Sequence, residues 1–290
     1  MDIDKTSLLD LNIFHPEEEF SIFHRLNFTR TVEGKEWLRL RFQEPFRDLK
    51  SIEQTQQILK LMLAQLDAWP LDITNGTLMV MEKFFSTQLD SIPHPAGWFN
   101  ARFFKLFHHP DYAIIRFSLQ HFGDFLRGMR KIIQLFEDKE MPANLQAILE
   151  RARHLTGDKV LQGLANLERD QELTPYQVVH FGHYIRYRFR NATTELTEIY
   201  GKLDGWYGMA AAMKHFNLQF PLFEESEQPF IEARGLYHVL LPKPVDYDVY
   251  LDQKHNFLFL TGANMAGKST FIKSVGAAVY LAHLGMGVPA

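Results

Sequence analysis

The chain has no cysteine among its 290 residues, which excludes disulfides, thiolate zinc sites and cysteine nucleophiles and is compatible with a reducing interior. It also lacks a large charge excess: 31 Lys and Arg against 35 Asp and Glu leave a formal net charge of -4, which argues against a surface coated in basic residues. A local basic patch stays open, because nucleic-acid binding depends on clustering and not on the total. No hydrophobic run approaches the length of a membrane span, and the acidic opening Met1-Asp2-Ile3-Asp4 is wrong for a secretory signal. A cytoplasmic location is therefore the default expectation. What the chain does have is apolar mass: 46% of it is hydrophobic and 25 residues are phenylalanine, enough to bury a sizeable core in two or three domains.

Residues 21–66 read as helical with a break at Pro45, and residues 67–170 continue so, punctuated at Pro70, Pro93, Pro95, Pro110 and Pro142. Apolar residues recur at three and four, as in Phe103, Phe104, Leu106 and Phe107 and again in Ile114, Ile115, Phe117, Leu119 and Phe122. That spacing predicts long helices packed as a bundle. Over residues 100–131, Arg102, Lys105, Arg116, Arg127, Arg130 and Lys131 interleave with aromatics, a mixture that a nucleic-acid groove uses. On helical spacing, however, the aromatics mostly face inward and the charges outward, which is the pattern of a core with a solvated rim. His108 and His109 are adjacent, so their rings cannot share a helix face as a metal pair.

Thr174-Pro175 predicts a helix start, an N-cap followed by proline in the first turn, with a long helix running on to Gly201. After Pro221 the texture changes. An acidic, turn-forming link at residues 224–229 precedes short β-like runs at 230–233, 237–241 and 248–251. The domain boundary is placed there, between a helical domain at 1–222 and a second domain at 223–290.

The chemistry readable in the sequence lies in the second domain. Gly262, four residues, then Gly267-Lys268-Ser269 fits G-x-x-x-x-G-K-[ST], a phosphate-binding loop. The apolar run at 257–260 predicts a buried strand before it, and Phe271, Ile272, Val275, Val279 and Ala282 predict one buried side of a helix after it. Glycine lets backbone N–H groups close on a phosphate, and the helix start adds partial positive charge there. The pattern gives Lys268 the β- and γ-phosphates of ATP and makes the Ser269 hydroxyl a ligand to Mg²⁺.

The loop from Thr261 to Thr270 reads T-G-A-N-M-A-G-K-S-T and resembles the MutS family of DNA mismatch-repair ATPases, whose loop reads T-G-P-N-M-G/A-G-K-S-T. Asn264-Met265 is the distinctive pair; Ala263 stands where proline is usual, which loosens the turn without removing a donor. Thr31, Gly34, Pro45, Arg47 and Asp48 are similar to the start of the family's core or lever region, a T-x-x-G turn followed by P-x-R-D. Leu203-Asp204 and the residues to Ala210 resemble its L-D-x-x-x-x-x-A segment. Gly235 to Leu241 is similar to its G-x-x-H-P-L block, with Val239 in the proline position, and Val288-Pro289-Ala290 matches its V-P-A.

The resemblance implies ATP and Mg²⁺ as cofactors, held by Gly262, Ala263, Asn264, Met265, Ala266, Gly267, Lys268, Ser269 and Thr270. It implies an adenine-stacking residue shortly before the loop, Val245 or Tyr247; spacing does not choose, and Tyr247 packing on a sheet edge is equally open. The expected fold is a mostly α-helical core and lever bundle followed by the first part of an α/β P-loop ATPase domain. The Walker B acid and the signature segment would lie beyond Ala290, so the chain is expected to be a fragment of a longer ATPase, inactive alone. DNA, as a mismatched or branched duplex, and a second subunit in a homodimer are the implied partners. The sequence leaves no room for the family's β-rich clamp, which favours a clampless paralogue acting on branched DNA. Two other classes stay open: an interaction scaffold with a non-hydrolysing nucleotide site, and an unrelated phosphate-loop NTPase or kinase.

Overall fold

The computed structural model describes residues 3–168, 171–263 and 267–290. Helices dominate: α1 (Lys5–Asp10), α2 (Ile22–Leu26), α3 (Val32–Gln43), α4 (Leu49–Gln65), α5 (Asn75–Ser86), α6 (Trp98–Phe107), α7 (His109–Leu135), α8 (Ala143–Thr156), α9 (Lys159–Ala165), α10 (Pro175–Arg188), α11 (Arg190–Phe216) and α12 (Lys268–His283). Two strands, β1 (Ile231–Leu236) and β2 (Tyr247–Leu251), pair antiparallel, Ile231 opposite Leu251. The run expected at 237–241 forms a turn instead, Leu241 N–H donating to the His238 carbonyl at 3.0 Å.

Local chemistry sets the helix starts. Asp48 caps α4 by accepting from Ser51 N–H at 2.8 Å, an interaction that holds its carboxyl below the usual range. Thr174 and Gln177 form a reciprocal capping box at α10, with Pro175 in the first turn as predicted. The helix expected to run unbroken to Gly201 is two helices. Phe189 leaves helical geometry at φ -111 and ψ 7, is buried, and sends its N–H back to Tyr184 and Ile185.

Packing divides the chain into two units. The first comprises the chain up to Thr29, Gly34–Leu66 and Asp204 onward; the second comprises Arg30–Glu33 and Asp67–Leu203. In the first unit α12 is laced to α3 and to the link between α3 and α4. The Tyr280 hydroxyl donates to the Phe42 carbonyl, Phe46 N–H donates to the His283 carbonyl at 2.8 Å, and the His283 ring lies 3.0 Å from the Phe46 carbonyl. Burial drives the Tyr280 phenol pKa up. Gly34 backs onto the fully buried Asp204, so closely that a Cβ there would lie 2.1 Å from the carboxylate. The end of the chain is paired too: Gln219 and Val288 exchange backbone hydrogen bonds at 2.9 and 2.8 Å, and Tyr237 N–H donates to the Pro289 carbonyl.

The second unit gathers around the 27-residue α7. Two close approaches depend on glycine: Gly182 of α10 under Ile115, and Gly128 of α7 under Ile73. Arg186 of α10 donates to the Phe84 carbonyl and, at 2.8 Å, to the Thr87 carbonyl, neutralising orphan acceptors at the end of α5. The inward-facing aromatics hold for Phe122 and Phe125, both buried, and fail for α6. There Ala101 and Phe104 are buried while Phe99, Phe103 and Phe107 face solvent, because α6 is apolar on more than one face and its own unit covers only the side of Ala101 and Phe104.

Candidate nucleotide-binding site

The expected strand before the phosphate loop is corrected. Residues 257–260 lie in no strand, and Phe257 and Phe259 are 79% and 78% exposed. A strand is stable only when its N–H and C=O groups find a ladder, and β1 and β2 pair with one another. Among the described residues, none lines up beside 257–260 to complete one. The small sheet therefore does not include residues 257–260.

The helix after the loop forms where expected; of the side expected to be buried, Ala282 is, and the rest of the buried face is displaced. Its inward face runs through Ser274, Ala277 and Leu281, whereas Ile272 is 61% exposed and Phe271, Val275 and Val279 are half-buried. Gly276 accounts for part of this shift: a Cβ there would meet Leu11 at 2.4 Å, so the backbone of α12 itself comes down on the N-terminal segment.

Gly267 is the N-cap of α12 at φ 85, ψ 8, a left-handed conformation that glycine adopts without strain. It brings no side chain to the helix start, so the first N–H groups of α12 have neither an intrahelical acceptor nor a side-chain cap. Lys268 extends its Nζ to donate to the carbonyls of Gly262 at 2.6 Å and Ala263 at 2.8 Å. Ser269 is exposed and Thr270 is half-buried. Asn264, Met265 and Ala266 lie outside the described residues. An uncapped helix start, an ammonium and an exposed hydroxyl make a donor set that fits a phosphate with its hydrated cation. Gly267, Lys268 and Ser269 are the described residues that would hold such an anion, and the Ser269 hydroxyl would face its cation.

The two adenine candidates have different surroundings. Tyr247 lies against the first turn of α12: its ring is 4.7 Å from that of Phe271 and its hydroxyl 3.4 Å from the Phe271 carbonyl. Burial raises the pKa of its phenol, so it acts as a neutral donor. Val245 is 80% exposed in the segment before β2.

Beyond the loop, the sequence reading missed a polar group on the flank of α12. The Lys273 ammonium donates to the side chain of Asn12, itself at φ 58, and its charge reaches the buried His238. Burial first, and Lys273 second, hold His238 below its ordinary pKa, so it stays neutral. A lysine in an otherwise apolar stretch of helix was the available signal. The two adjacent histidines form no pair, but His108 meets Asp90 at 2.6 Å, and with Asp111 three potential ligand atoms lie within 4.8 Å of one another.

No family model matches the chain. It is 32% identical over 107 residues to the DNA mismatch repair protein MutS of Thermotoga maritima, which takes in 36% of this chain and 13% of that protein. To the endonuclease MutS2 of Thermus thermophilus it is 34% identical over 93 residues, 32% of this chain and 12% of that one. A longer match of 262 residues, at 24% identity to MutS of Staphylococcus haemolyticus, takes in 84% of this chain and 28% of the relative. The chain thus spans only about an eighth to a quarter of the lengths of these relatives. With both MutS and MutS2 proteins matching parts of it, the chain is a relative of the MutS family.

Proposed function

We propose that residues 262–270 bind ATP with Mg²⁺, and that the chain belongs to the DNA-handling machinery of a MutS-type ATPase. The observation that carries the reading is the loop motif set on an uncapped helix start, with Gly267 in the left-handed conformation and Lys268 folded back over the loop. Lys268 and the free N–H groups take the phosphates, Ser269 takes the cation, and Tyr247 offers a ring beside the first turn of the helix. In this reading residues 1–222 are the core and lever region and 223–290 begin the ATPase domain. A second copy completes the nucleotide site, and the nucleotide state alters the grip on DNA. The matched relatives named as mismatch repair proteins support DNA as the partner.

Branched DNA is the favoured substrate class within that reading. Helices α5–α10 carry the second unit, where a clamp of the kind the resemblance implies would be β-rich. The experiment that tests the reading is Mg-ATP binding by the chain beside its Lys268→Ala variant, read by calorimetry. Binding that the substitution abolishes supports the site. Equal binding by both, or none by either, sinks it. Mismatched, branched and plain duplexes compared at one salt concentration then rank the DNA classes.

A further inference from the structure

Helix α6 carries five large apolar side chains that its own unit leaves in solvent. Trp98, Phe99, Phe103, Leu106 and Phe107 are 57%, 73%, 59%, 72% and 69% exposed. From Phe99, Phe103, Leu106 and Phe107 recur at four, seven and eight residues and share a helix face, with Trp98 beside Phe99 in the first turn. The Phe103 and Phe107 rings stack at 5.7 Å, and Trp98 meets Phe99 edge-on at 4.8 Å. The opposite side, Ala101 and Phe104, is buried, so the helix is anchored in place. At 150–250 Å² for a large side chain, these exposures add up to roughly 600 Å² of apolar surface, the upper end of what a monomer carries as its largest patch.

The charges around the patch balance. Arg102 lies over the Trp98 ring at 4.4 Å and Lys105 over the Tyr112 ring at 5.5 Å, while Arg116 reaches Glu172 at 3.7 Å. His108 contacts Asp90, whose N–H donates to Asp111 at 2.9 Å. Duplex DNA or an acidic bilayer would therefore meet Asp90, Asp111 and Glu172 as well as the cations, and would gain little attraction. An apolar partner gains from the area alone. A second copy of this chain supplies a matching face by symmetry, and two such patches face to face would remove roughly 1,200 Å² from water, the lower bound for a specific interface.

We propose that the exposed face of α6 is a self-association surface on which two copies of this chain meet about a two-fold axis. The contact is separate from the one implied at the nucleotide site and does not depend on nucleotide. Its test is the mass of the full chain by sedimentation or light scattering from ~1 to ~100 μM. Wild type should approach twice 33.9 kDa, Phe103→Glu should weaken association about tenfold or more, and Leu71→Glu, at a singly exposed leucine of the same unit, should leave it unchanged. Because the chain has no native cysteine, Phe103→Cys should give a disulfide-linked dimer on mild oxidation while Leu71→Cys does not, which decides the matter if Phe103→Glu fails to fold. A monomer at every concentration, or a dimer indifferent to Phe103→Glu and uncrosslinked through Phe103→Cys, overturns the proposal. So does a monomer whose binding to plain duplex DNA or to phosphatidylserine vesicles is lost in Phe103→Glu, an outcome that gives the face to that partner instead.

Discussion

The two ends of α12 follow opposite rules. Its C-terminal half is locked: Leu281 and Leu284 are fully buried, Tyr280 and His283 bond to backbone of the first 46 residues, and Gly285 sits at φ 70 against Thr55. Its N-terminal end is open, with Ser269 and Ile272 exposed and the helix start uncapped. One end is optimised for burial, and the other leaves N–H donors that no side chain among the described residues caps. Unspent hydrogen-bonding capacity at the end of a rigidly held helix is what a ligand site requires, and the packed end supplies the rigidity.

The contrast can be broken by substitution. Leu281→Ala should cost about 2–5 kcal/mol of unfolding free energy, because it opens a cavity in a site that cannot collapse, and denaturant melts will read it. A smaller effect should come from pH. His238 is held below its ordinary pKa of 6.5, so its neutral form is the one the fold accepts. Above that value neither state binds the proton and stability is full. As pH falls through 6.5, the unfolded chain takes up a proton that the folded chain refuses, and stability declines toward the folded pKa. Melts at about pH 8 and about pH 5.5 should show this acid loss, and His238→Gln should reduce it. At the open end, Ile272→Ala should move stability by no more than about 0.5 kcal/mol in the same melts. If Ile272→Ala costs as much as Leu281→Ala, the two ends are not different in kind.

Much of this was legible from the sequence. The helix start announced by Thr174 formed where the capping side chain put it, since a cap is a contact over three residues. Gly34 and Asp204, each picked out by resemblance to a family segment, turn out to need one another: the glycine leaves room for the carboxylate. What failed was non-local. The apolar run at 257–260 has strand composition, but composition cannot provide a ladder, and the segment is exposed. The side of α12 that turns inward is set by how Leu11 and Gly276 meet, far apart in sequence. In α6 periodicity marked the aromatics without saying which of two apolar sides the neighbours would cover. Of the candidate site, Gly267 at the start of a helix could be named in advance, whereas the link from Lys273 to Asn12 could not.

The bonds that lock α12 also impose an order of events during synthesis. Tyr280 reaches a partner 238 residues earlier in the chain, and Lys273 one 261 residues earlier. Helices α3 and α4 must therefore wait while about 200 further residues leave the ribosome, roughly 10–40 s at ordinary elongation rates. The second unit, whose residues 67–203 are all made within that interval, can finish first. The bonds described for the first unit can close only as α12 emerges, so the segment that carries the phosphate loop arrives well after the helices it packs against.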